Sequence, residues 1–336
     1  MAGYNTIRGL RVKYLSADPA GAEDGQVWYN STTGNLRVDG IALAGSWASG
    51  ANMGTTRAAA GGAGTQTAGL AFGGRLGAPI TSTANSEEYN GSSWSEGNNM
   101  VTGRTFLGSA GTQTAALGAG GANDAPTANT GMTNSEKYDG TSWTATNALN
   151  TARYAMYVAG TTGAALAAGG YNNTLPPSNA TNITEEFDGT NWSAVPGNLG
   201  STKYRGVGTG TQTAGLACLG YIYPGGNTNQ AEEYNGTSWT AGGTANTARS
   251  ALGGCGTQTA TLVFGGTSTS VAAESYDGSS WTTQPSLAQG RDSITGAASG
   301  TTSAALGFGG RNGPTLYNNT EEFTGASTQI KNISVS

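Results

Sequence analysis

The acidic side chains of this sequence are its first candidates for chemistry. Adjacent acids recur along the chain, at Glu87-Glu88, Glu185-Glu186 and Glu232-Glu233. A glycosidase needs two carboxylates on either side of one bond, but neighbouring residues of a β-strand point to opposite faces and cannot converge. The sequence also contains no histidine, which removes the usual general base at neutral pH. The acid pairs therefore indicate a structural role, and we expect no enzyme activity.

The two cysteines and the recurring basic residues give no metal-binding or catalytic pattern. Cys218 stands where other repeats have Phe72 and Phe264, and no histidine accompanies Cys218 or Cys255 as a base. Two cysteines are too few for a zinc site or a disulfide framework, so we expect no metal and no cofactor. The basic residues could either ring an axis as an anion site or bond to carbonyl groups and glutamates of adjacent strands. They are Arg57, Arg104, Arg153, Lys203, Arg249 and Arg291.

Composition excludes several partners. The chain has 336 residues, a net charge of −5 and 57 glycines. Its mildly acidic balance argues against binding to nucleic acid or to an anionic membrane. No apolar run approaches the roughly 18 residues of a membrane-spanning helix, and the first residues lack the core of a signal peptide. Composition permits a folded chain without requiring one, so periodicity must decide.

Two motifs repeat in register along the chain. The first resembles GTQTAGLAFGG and begins at residues 64, 111, 160, 210, 256 and 300, at intervals of 44 to 50 residues. The second, of the type EEYNGSSW, follows it and ends at a tryptophan. Each period contains segments of small residues and segments in which apolar and polar residues alternate, and these predict four short strands, a to d. Between strands c and d, Asn-Gly or Asp-Gly supplies a tight hairpin turn. A period of this length with four strands is typical of a β-propeller blade.

At these residues the sequence resembles the kelch repeat: a basic residue, a strand, a Gly-Gly pair, an acidic-x-aromatic-Asp-Gly segment and a tryptophan. The resemblance covers about residues 45–325. It implies a propeller whose glycine-rich strands lie innermost, and it implies no single function, because kelch propellers serve as binding modules, structural parts and occasionally oxidases. Two features depart from the family. Strand a is unusually rich in glycine and alanine, and the fourth repeat has Gly220-Tyr221 where a Gly-Gly pair is expected.

We therefore predict an all-β fold: a six-bladed kelch-like β-propeller of four-stranded antiparallel blades over residues 41–336, with a small β-hairpin module at residues 1–40. The sixth repeat lacks a tryptophan, so the N-terminal strand around Trp47 is expected to complete the last blade. The recurring tryptophans are expected to pack between adjacent blades. They are Trp47, Trp94, Trp143, Trp192, Trp239 and Trp281.

The connections between strands b and c vary in length and composition, unlike the other turns. Loops on a rigid scaffold are a usual place for binding, although these could also be surface loops under little constraint. We take their aromatic and basic residues as candidates for contacts with glycans or proteins. They are Tyr171, Tyr221, Tyr223, Tyr317, Arg75 and Arg311.

The sequence pattern of residues 24–40 predicts a β-hairpin. This hairpin needs a partner surface, because two strands alone are marginally stable in water. The segment LRVKYLSADPAGAEDGQVWYNSTTGNLRV resembles short N-terminal modules of bacteriophage tail-fibre and other virion-associated proteins. The resemblance implies docking on a virion or oligomerisation; the alternative is a hairpin packed on its own propeller. The candidate docking residues are Val27, Trp28, Tyr29, Leu36 and Val38.

The functional hypothesis from the sequence is a non-enzymatic virion protein of a bacteriophage: a tail fibre, an adaptor or a capsid decoration. It would be assembled in the host cytoplasm, bind other virion proteins through residues 1–40, form a homo-oligomer on the particle and contact a host surface glycan or receptor through its b–c loops. The alternatives are a polysaccharide-degrading propeller enzyme and a free-standing cellular adhesin or lectin. The sequence leaves open whether residues 328–336 add a strand or reach a partner.

Overall fold

The computed structural model describes residues 12–19, 26–39, 44–77, 81–125, 128–173, 179–326 and 330–332. The chain divides into two compact units, one formed by Ser46–Thr324 and the other by Met1–Gly45 together with Gly325–Ser336. These limits differ from the predicted ranges 1–40 and 41–336, because a C-terminal strand belongs to the smaller unit. Within the described residues there is no helix, and so none that could span a membrane.

The larger unit is an all-β propeller, which confirms the predicted fold class. In its described part, six four-stranded antiparallel sheets follow one another, and each has the strand order a-b-c-d. In blade order, with strands a to d of each blade, the bounds are Gly61–Thr65, Ala68–Phe72, Ser86–Tyr89 and Trp94–Gly97; Gly108–Thr112, Ala115–Ala119, Ser135–Tyr138 and Trp143–Thr146; Tyr157–Gly160, Ala165–Ala168, Thr184–Phe187 and Trp192–Val195; Val207–Gly210, Gly215–Cys218, Ala231–Tyr234 and Trp239–Ala241; Gly253–Thr257, Ala260–Phe264, Ala273–Tyr276 and Trp281–Gln284; and Thr295–Gly296, Ala304–Phe308, Thr320–Thr324 and Ser46–Gly50.

Short strands also form in the connections of the propeller. They are Arg75–Leu76 with Thr81–Ser82, Ala122–Ala125 with Ala128–Gly131, Lys203–Tyr204 with Tyr221–Ile222 and Gly226–Asn227, and Arg311–Asn312 with Thr315–Leu316.

The ring closes through the sixth blade. Each strand a contacts strand a of the next blade, and strand a of blade 6 contacts strand a of blade 1. Strand d of blade 6 comes from the N-terminal side of the unit: Ser46–Gly50 pairs antiparallel with Thr320–Thr324, and Trp47 lies opposite Phe323. This pairing joins the two ends of the propeller segment and covers an edge that would otherwise be exposed.

Glycine is required where strands a approach one another. A Cβ atom on Gly62 would lie 2.3 Å from the carbonyl oxygen of Gly296, and one on Gly208 would lie 2.4 Å from the amide nitrogen of Val158. No real side chain tolerates such distances to backbone atoms. The glycines of strands a are therefore a packing requirement of the innermost strands.

The Gly-Gly pair after strand b takes two left-handed conformations, and the fourth repeat differs from the expectation. Its first position is occupied by Leu219, with a φ of 55°, and its second by Gly220, with a φ of 104°. The sequence alignment that placed the departure at Tyr221 was wrong by one residue. Leu219 is buried, so its apolar contacts offset the cost of about 1–3 kcal/mol for a left-handed residue other than glycine.

The c–d turn is also wider than predicted. Tyr89 pairs directly with Trp94, which leaves a four-residue connection instead of a two-residue hairpin. Gly91 has a φ of 89°, while the Asn90 side-chain oxygen accepts hydrogen bonds from the backbone N–H groups of Ser92 and Ser93 at 2.9 and 2.8 Å. The Asn or Asp of this motif is thus a side-chain cap of the turn.

The recurring basic residue and the first acid of strand c form a buried ion pair inside each blade. All six basic side chains are nearly inaccessible to solvent, and burial lowers the pKa of Arg153 to about 10 while Glu185 opposes this shift. Of the two roles open to these residues, bonds within the sheet are the one observed. The pairs are Arg57–Glu87, Arg104–Glu136, Arg153–Glu185, Lys203–Glu232, Arg249–Glu274 and Arg291–Glu321.

The second acid of strand c reaches the neighbouring blade. Where strand c of the next blade has a tyrosine, its hydroxyl donates to this acid; where the next blade has a phenylalanine, the acid is replaced. Lys137 faces Phe187, with its Nζ 5.9 Å from the ring centroid, and Ser275 takes the acid's position in the blade before Phe323. The tyrosine–glutamate bonds are Tyr89 to Glu322, Tyr138 to Glu88 at 2.5 Å, Tyr234 to Glu186 at 2.8 Å and Tyr276 to Glu233 at 2.6 Å.

The Thr-Gln turn between strands a and b joins blades as well. The amide of Gln113 donates to the carbonyl oxygens of Gly69 and Tyr89 in the preceding blade, at 3.0 and 2.8 Å. Equivalent bonds come from Gln66, Gln212 and Gln258.

The repeated tryptophans lie at the junctions between blades. The ring of Trp143 is 4.7 Å from that of Phe72 in the preceding blade, and the ring of Trp94 is 5.1 Å from that of Phe308. The indole N–H of Trp47 donates to the carbonyl oxygen of Pro285 at 2.9 Å. Each tryptophan of this set fills the gap that widens away from the axis. Five of the six donate their indole N–H to an oxygen atom at the junction, whereas the indole nitrogen of Trp143 is buried with no partner among the described residues.

In the smaller unit, four strands form one sheet. Val27–Asn30 pairs antiparallel with Asn35–Asp39, as the predicted hairpin requires, and parallel with Lys13–Leu15. Ile330–Asn332 adds an antiparallel strand beside Asn35–Asp39, so part of the C-terminal segment forms an outer strand of this sheet.

Asp18 organises the smaller unit. Its carboxylate accepts hydrogen bonds from Asn30 at 2.8 Å and from the indole N–H of Trp28 at 3.0 Å, and it forms an ion pair with Arg37. Trp28 is 0% exposed, so this candidate docking residue is part of the interior. Of the other candidates in the hairpin, Val27, Tyr29, Leu36 and Val38 are half-buried.

A double substitution tests the pairing between blades. Tyr234→Phe removes the donor to Glu186, and we expect a loss of about 1 kcal/mol in the free energy of unfolding. Tyr234→Phe combined with Glu186→Ser reproduces the pair found at Phe323 and Ser275, so the combined loss should be smaller than the sum of the single losses. Urea unfolding followed by circular dichroism measures both, with Thr237→Ala in an exposed turn as control; strict additivity would contradict the pairing.

Acid should weaken the smaller unit through Asp18. Its hydrogen bonds to Asn30 and Trp28 and the charge of Arg37 lower the pKa of this carboxyl. A lowered pKa contributes stability that is present above the unfolded value of about 3.9 and is lost as pH falls through the folded value. In hydrogen exchange corrected for intrinsic rates, Asp18→Ala should therefore increase the exchange of residues 26–39 at pH 7. The difference between the variant and the unsubstituted protein should vanish at a pH below the folded pKa of Asp18. Peptides from the blades serve as the internal control.

Candidate binding site

A closed ring of six backbone hydrogen bonds surrounds the axis of the propeller. One residue of each blade, just before strand a, is left-handed, with φ between 51° and 60°. Its N–H donates to the carbonyl oxygen of the equivalent residue in the neighbouring blade, at 2.7 to 2.9 Å. These mouth residues are Ala59, Phe106, Ala155, Arg205, Ala251 and Ser293.

Two of the mouth residues are large. Four blades place alanine or serine in the ring, whereas Phe106 and Arg205 project long side chains, both half-buried. The guanidinium carbon of Arg205 lies 4.9 Å from the centroid of the Phe106 ring, which is a cation–π contact. They line a cavity of about 130 Å³ at the mouth of the axial channel.

Five tyrosines form a second feature beside the mouth, which we name the tyrosine array. In blade 3 the segment before strand a pairs with the b–c connection. Tyr154 of the segment and Tyr171 of the connection exchange two backbone hydrogen bonds of 2.9 Å. In blade 4 the equivalent residues, Tyr204 and Tyr221, pair in the same way. The array consists of Tyr154, Tyr171, Tyr204, Tyr221 and Tyr223.

The rings of the array touch in sequence. Tyr171 lies 5.5 Å from Tyr154, 4.8 Å from Tyr204 and 6.3 Å from Tyr223, measured between centroids. Tyr204 lies 5.5 Å from Tyr221. Tyr154 also lies 6.0 Å from Phe106, which connects the array to the mouth. Such tilted and edge contacts are favourable for aromatic rings and hold them in fixed positions.

The environment keeps the innermost phenols of the array neutral. Burial raises the pKa of Tyr154 to about 12, Tyr171 adds to the shift, and the positive charge of Arg205 opposes it. Burial also raises the pKa of Tyr204. At physiological pH these hydroxyls are therefore donors as well as acceptors.

The structure brings together some of the residues predicted to bind and separates others. Tyr171 and Tyr221 are half-buried members of the array, and Tyr223 is 37% exposed. Arg75 and Arg311 take the equivalent b–c positions of blades 1 and 6, and Arg311 forms a 2.8 Å ion pair with Asp292.

Tyr317 belongs to blade 6 and is half-buried there. Its carbonyl oxygen accepts a hydrogen bond from the backbone N–H of Arg57 at 3.1 Å. No ring contact joins it to the tyrosine array within the described residues.

Sequence reasoning missed Phe106, Tyr154, Tyr204 and Arg205. Their signal was present in the repeat: they occupy the first and second positions after the recurring basic residue, where the other blades mostly have small residues. The sequence pattern assigns those positions to the small-residue strand a, which in the structure begins after them.

The cysteine thiols and the acids of strand c lie in surroundings that indicate a structural role. Burial raises the pKa of the Cys218 and Cys255 thiols to about 12, so both are poor nucleophiles. Among the described residues no group of three His, Cys, Asp or Glu side chains is placed to hold a metal. The six acids nearest to the basic residues are engaged in the buried ion pairs.

The fold and this face together define the class of the protein, a β-propeller with a tyrosine-rich face at one end of its channel. No protein-family model matches the chain, and no curated protein sequence matches it. Among solved structures, that of YjhT is similar, with a TM-score of 0.65 at 13% identity over 83% of this chain and 99% of that chain. An identity this low shows a shared propeller fold and no shared function.

Proposed function

We propose that this chain is a non-enzymatic structural protein of a bacteriophage virion, a tail fibre, adaptor or capsid decoration, whose kelch-like propeller contacts the host surface. The observation that carries the binding role is the tyrosine array. It is formed by the variable b–c connections together with the segments before strand a that pair with them, where a rigid scaffold can present different side chains without changing its core.

The chemistry of the array supports recognition of surface glycans. Tyrosine offers a flat apolar ring and a polar hydroxyl at a low entropic cost, which explains its enrichment in binding surfaces. The contacts between Tyr171, Tyr154 and Tyr204 fix the rings before any ligand arrives, which reduces the ordering cost of binding. Tyr223 is more exposed than the other tyrosines of the array, and its ring adds a solvent-accessible edge to the array.

The virion part of the proposal rests on the resemblance of residues 1–40 to phage modules and on the exposed side chains of that unit. Tyr14, in the first strand of the sheet, is 76% exposed, and Val12, just before that strand, is 42% exposed. Exposed apolar side chains on a small unit are suited to contact with other virion proteins or with further copies of the chain. In this proposal the protein is assembled into particles in the host cytoplasm.

Substitution in the array tests the receptor role. Tyr171→Ala and Tyr223→Ala should each reduce adsorption of the purified chain to host cells at least tenfold, equivalent to about 1.4 kcal/mol. Tyr317→Ala is the matched control, because this half-buried tyrosine lies in blade 6. Flow cytometry with labelled protein measures the binding, and circular dichroism verifies folding. Unchanged adsorption of both variants would reject the array as the contact surface.

Incorporation into particles tests the virion role. Antibodies against the propeller should label purified phage particles in electron microscopy, and the full chain should compete for incorporation during assembly. Residues 46–324 alone, if folded by circular dichroism, should not be incorporated. Equal incorporation would make the propeller itself the docking part. Absence from particles together with glycan binding would favour the adhesin alternative.

A further inference from the structure

We infer that Arg205 and Phe106 form a subsite for the carboxylate of an acidic sugar, and that the glycan bound by the tyrosine array contains uronic acid units. This inference rests on the proposed glycan-binding function and specifies its ligand class. It is carried by an unpaired cation held at the mouth of the channel next to the array.

Arg205, like Arg75 and Lys137, differs from the other basic residues described in the propeller because it has no carboxylate within ion-pair distance. The six recurring bases are paired with buried glutamates, and Arg311 is paired with Asp292. Within the part of the chain that the structure describes, no carboxylate lies within ion-pair distance of Arg205. Its Nε is buried without a hydrogen-bond partner. A half-buried guanidinium without an anion retains most of its capacity to bind one.

The guanidinium is held in place before a ligand binds. Its carbon lies 4.9 Å from the centre of the Phe106 ring, and its backbone is fixed by the ring of hydrogen bonds that joins it to Ala155 and Ala251. A planar guanidinium stacked on an aromatic ring can still direct its edge toward a carboxylate and bind it with two parallel hydrogen bonds. The stacking thus orients the group. Because its Nε is inaccessible to solvent, a carboxylate would bind the edge formed by its two terminal nitrogens.

The surroundings favour a negative ligand. The mouth residues include no acid, since they are alanine, serine, phenylalanine and arginine. The nearby phenols of Tyr154 and Tyr204 remain neutral, as described above, and so do not compete with an anion for Arg205. This local positive charge contrasts with the net charge of −5 of the whole chain.

The dimensions favour a carboxylate that extends from a sugar bound outside the cavity. The cavity of about 130 Å³ has room for a small anionic group and a few waters, given about 30 Å³ for each water. A sugar ring whose carboxylate contacts Arg205 would lie beside Tyr154 and Tyr204. Further units of the chain could then continue along Tyr171 toward Tyr223, where the rings are more exposed.

Calorimetry with defined oligosaccharides tests this subsite on the full chain. The probes are an oligogalacturonate, its methyl ester, the neutral oligogalactose of equal length and a sulfated oligogalactose. We expect the oligogalacturonate to bind at least tenfold more tightly than its ester and the neutral sugar, with an affinity that falls as salt is added. Arg205→Ala should abolish this preference, and Arg205→Lys should retain part of it, because lysine keeps the charge without the planar fork.

The variants have controls within the fold. Alanine already occupies the equivalent mouth position in three blades, at Ala59, Ala155 and Ala251, so Arg205→Ala is compatible with the ring. Lys13→Gln, which removes an exposed positive charge from the smaller unit, should leave the preference unchanged. Phe106→Ala should weaken the preference several-fold, because it removes the surface that orients the guanidinium.

Each outcome bears on one level of the proposal. Equal binding of the acid, the ester and the neutral sugar would overturn the carboxylate subsite while leaving glycan binding intact. A preference that survives in Arg205→Ala would overturn the assignment to Arg205, and a stronger Arg205-dependent preference for the sulfated sugar would overturn the carboxylate as the recognised group. Failure of every saccharide to bind, together with unchanged adsorption of Tyr171→Ala and Tyr223→Ala, would reject the proposed function itself.

Discussion

Close approach of backbone around the axis is the constraint on which the rest of the propeller depends. Six left-handed residues exchange hydrogen bonds in a closed ring, and glycines in strands a allow neighbouring blades to approach within distances that no Cβ permits. A left-handed conformation is costly for a residue with a side chain. This cost is offset because the backbone N–H and carbonyl groups of all six mouth residues are satisfied by the ring. Five of these residues are uncharged, and the sixth is Arg205.

Buried polar groups then define how each blade is built and how it meets the next. The ion pair within a blade, such as Arg153–Glu185, supplements its charge interaction with hydrogen bonds from Arg153 to the carbonyl oxygens of Gly169 and Ile183. A buried pair of this kind adds little net stability compared with apolar packing, but removal of one partner is expensive. We therefore regard it as a device that fixes the position of the segment before strand a. The tyrosine–glutamate bonds and the Gln amides extend this positional control across the junctions.

That positional control explains why the candidate binding face can vary. The backbone before strand a and after strand b is anchored by the basic residue, so the next one or two positions project from the same places in every blade. Blades 3 and 4 use these positions for tyrosines, and blades 6 and 1 use the b–c position for Arg311 and Arg75. A repeated scaffold thus supports a face whose two sides differ in chemistry, aromatic on one side and basic on the other.

The sequence by itself determined the architecture. The spacing of the glycine and tryptophan motifs identified the propeller and its strands, because every repeat must solve the same packing problem. The sequence also pointed to Trp47 as the missing element of the last blade, since one tryptophan was absent at the other end. Short-range detail was less accessible: the position of Leu219 in the fourth repeat and the four-residue c–d turn depend on backbone dihedral angles that residue types alone do not specify.

Only the tertiary structure decided which residues form the candidate site. Tyr154 and Tyr204 are separated in sequence from Tyr171 and Tyr221, and antiparallel pairing of two connections brings each pair together. Arg205 and Phe106 belong to blades 4 and 2 and are the ring neighbours of Ala155, so the ring brings their long side chains together on either side of a small residue. Likewise, Trp28 looked like a surface anchor in the sequence, but a hydrogen bond to Asp18 and complete burial assign it to the interior. Contacts of this kind depend on how distant segments are arranged in space, which periodicity along a chain does not encode.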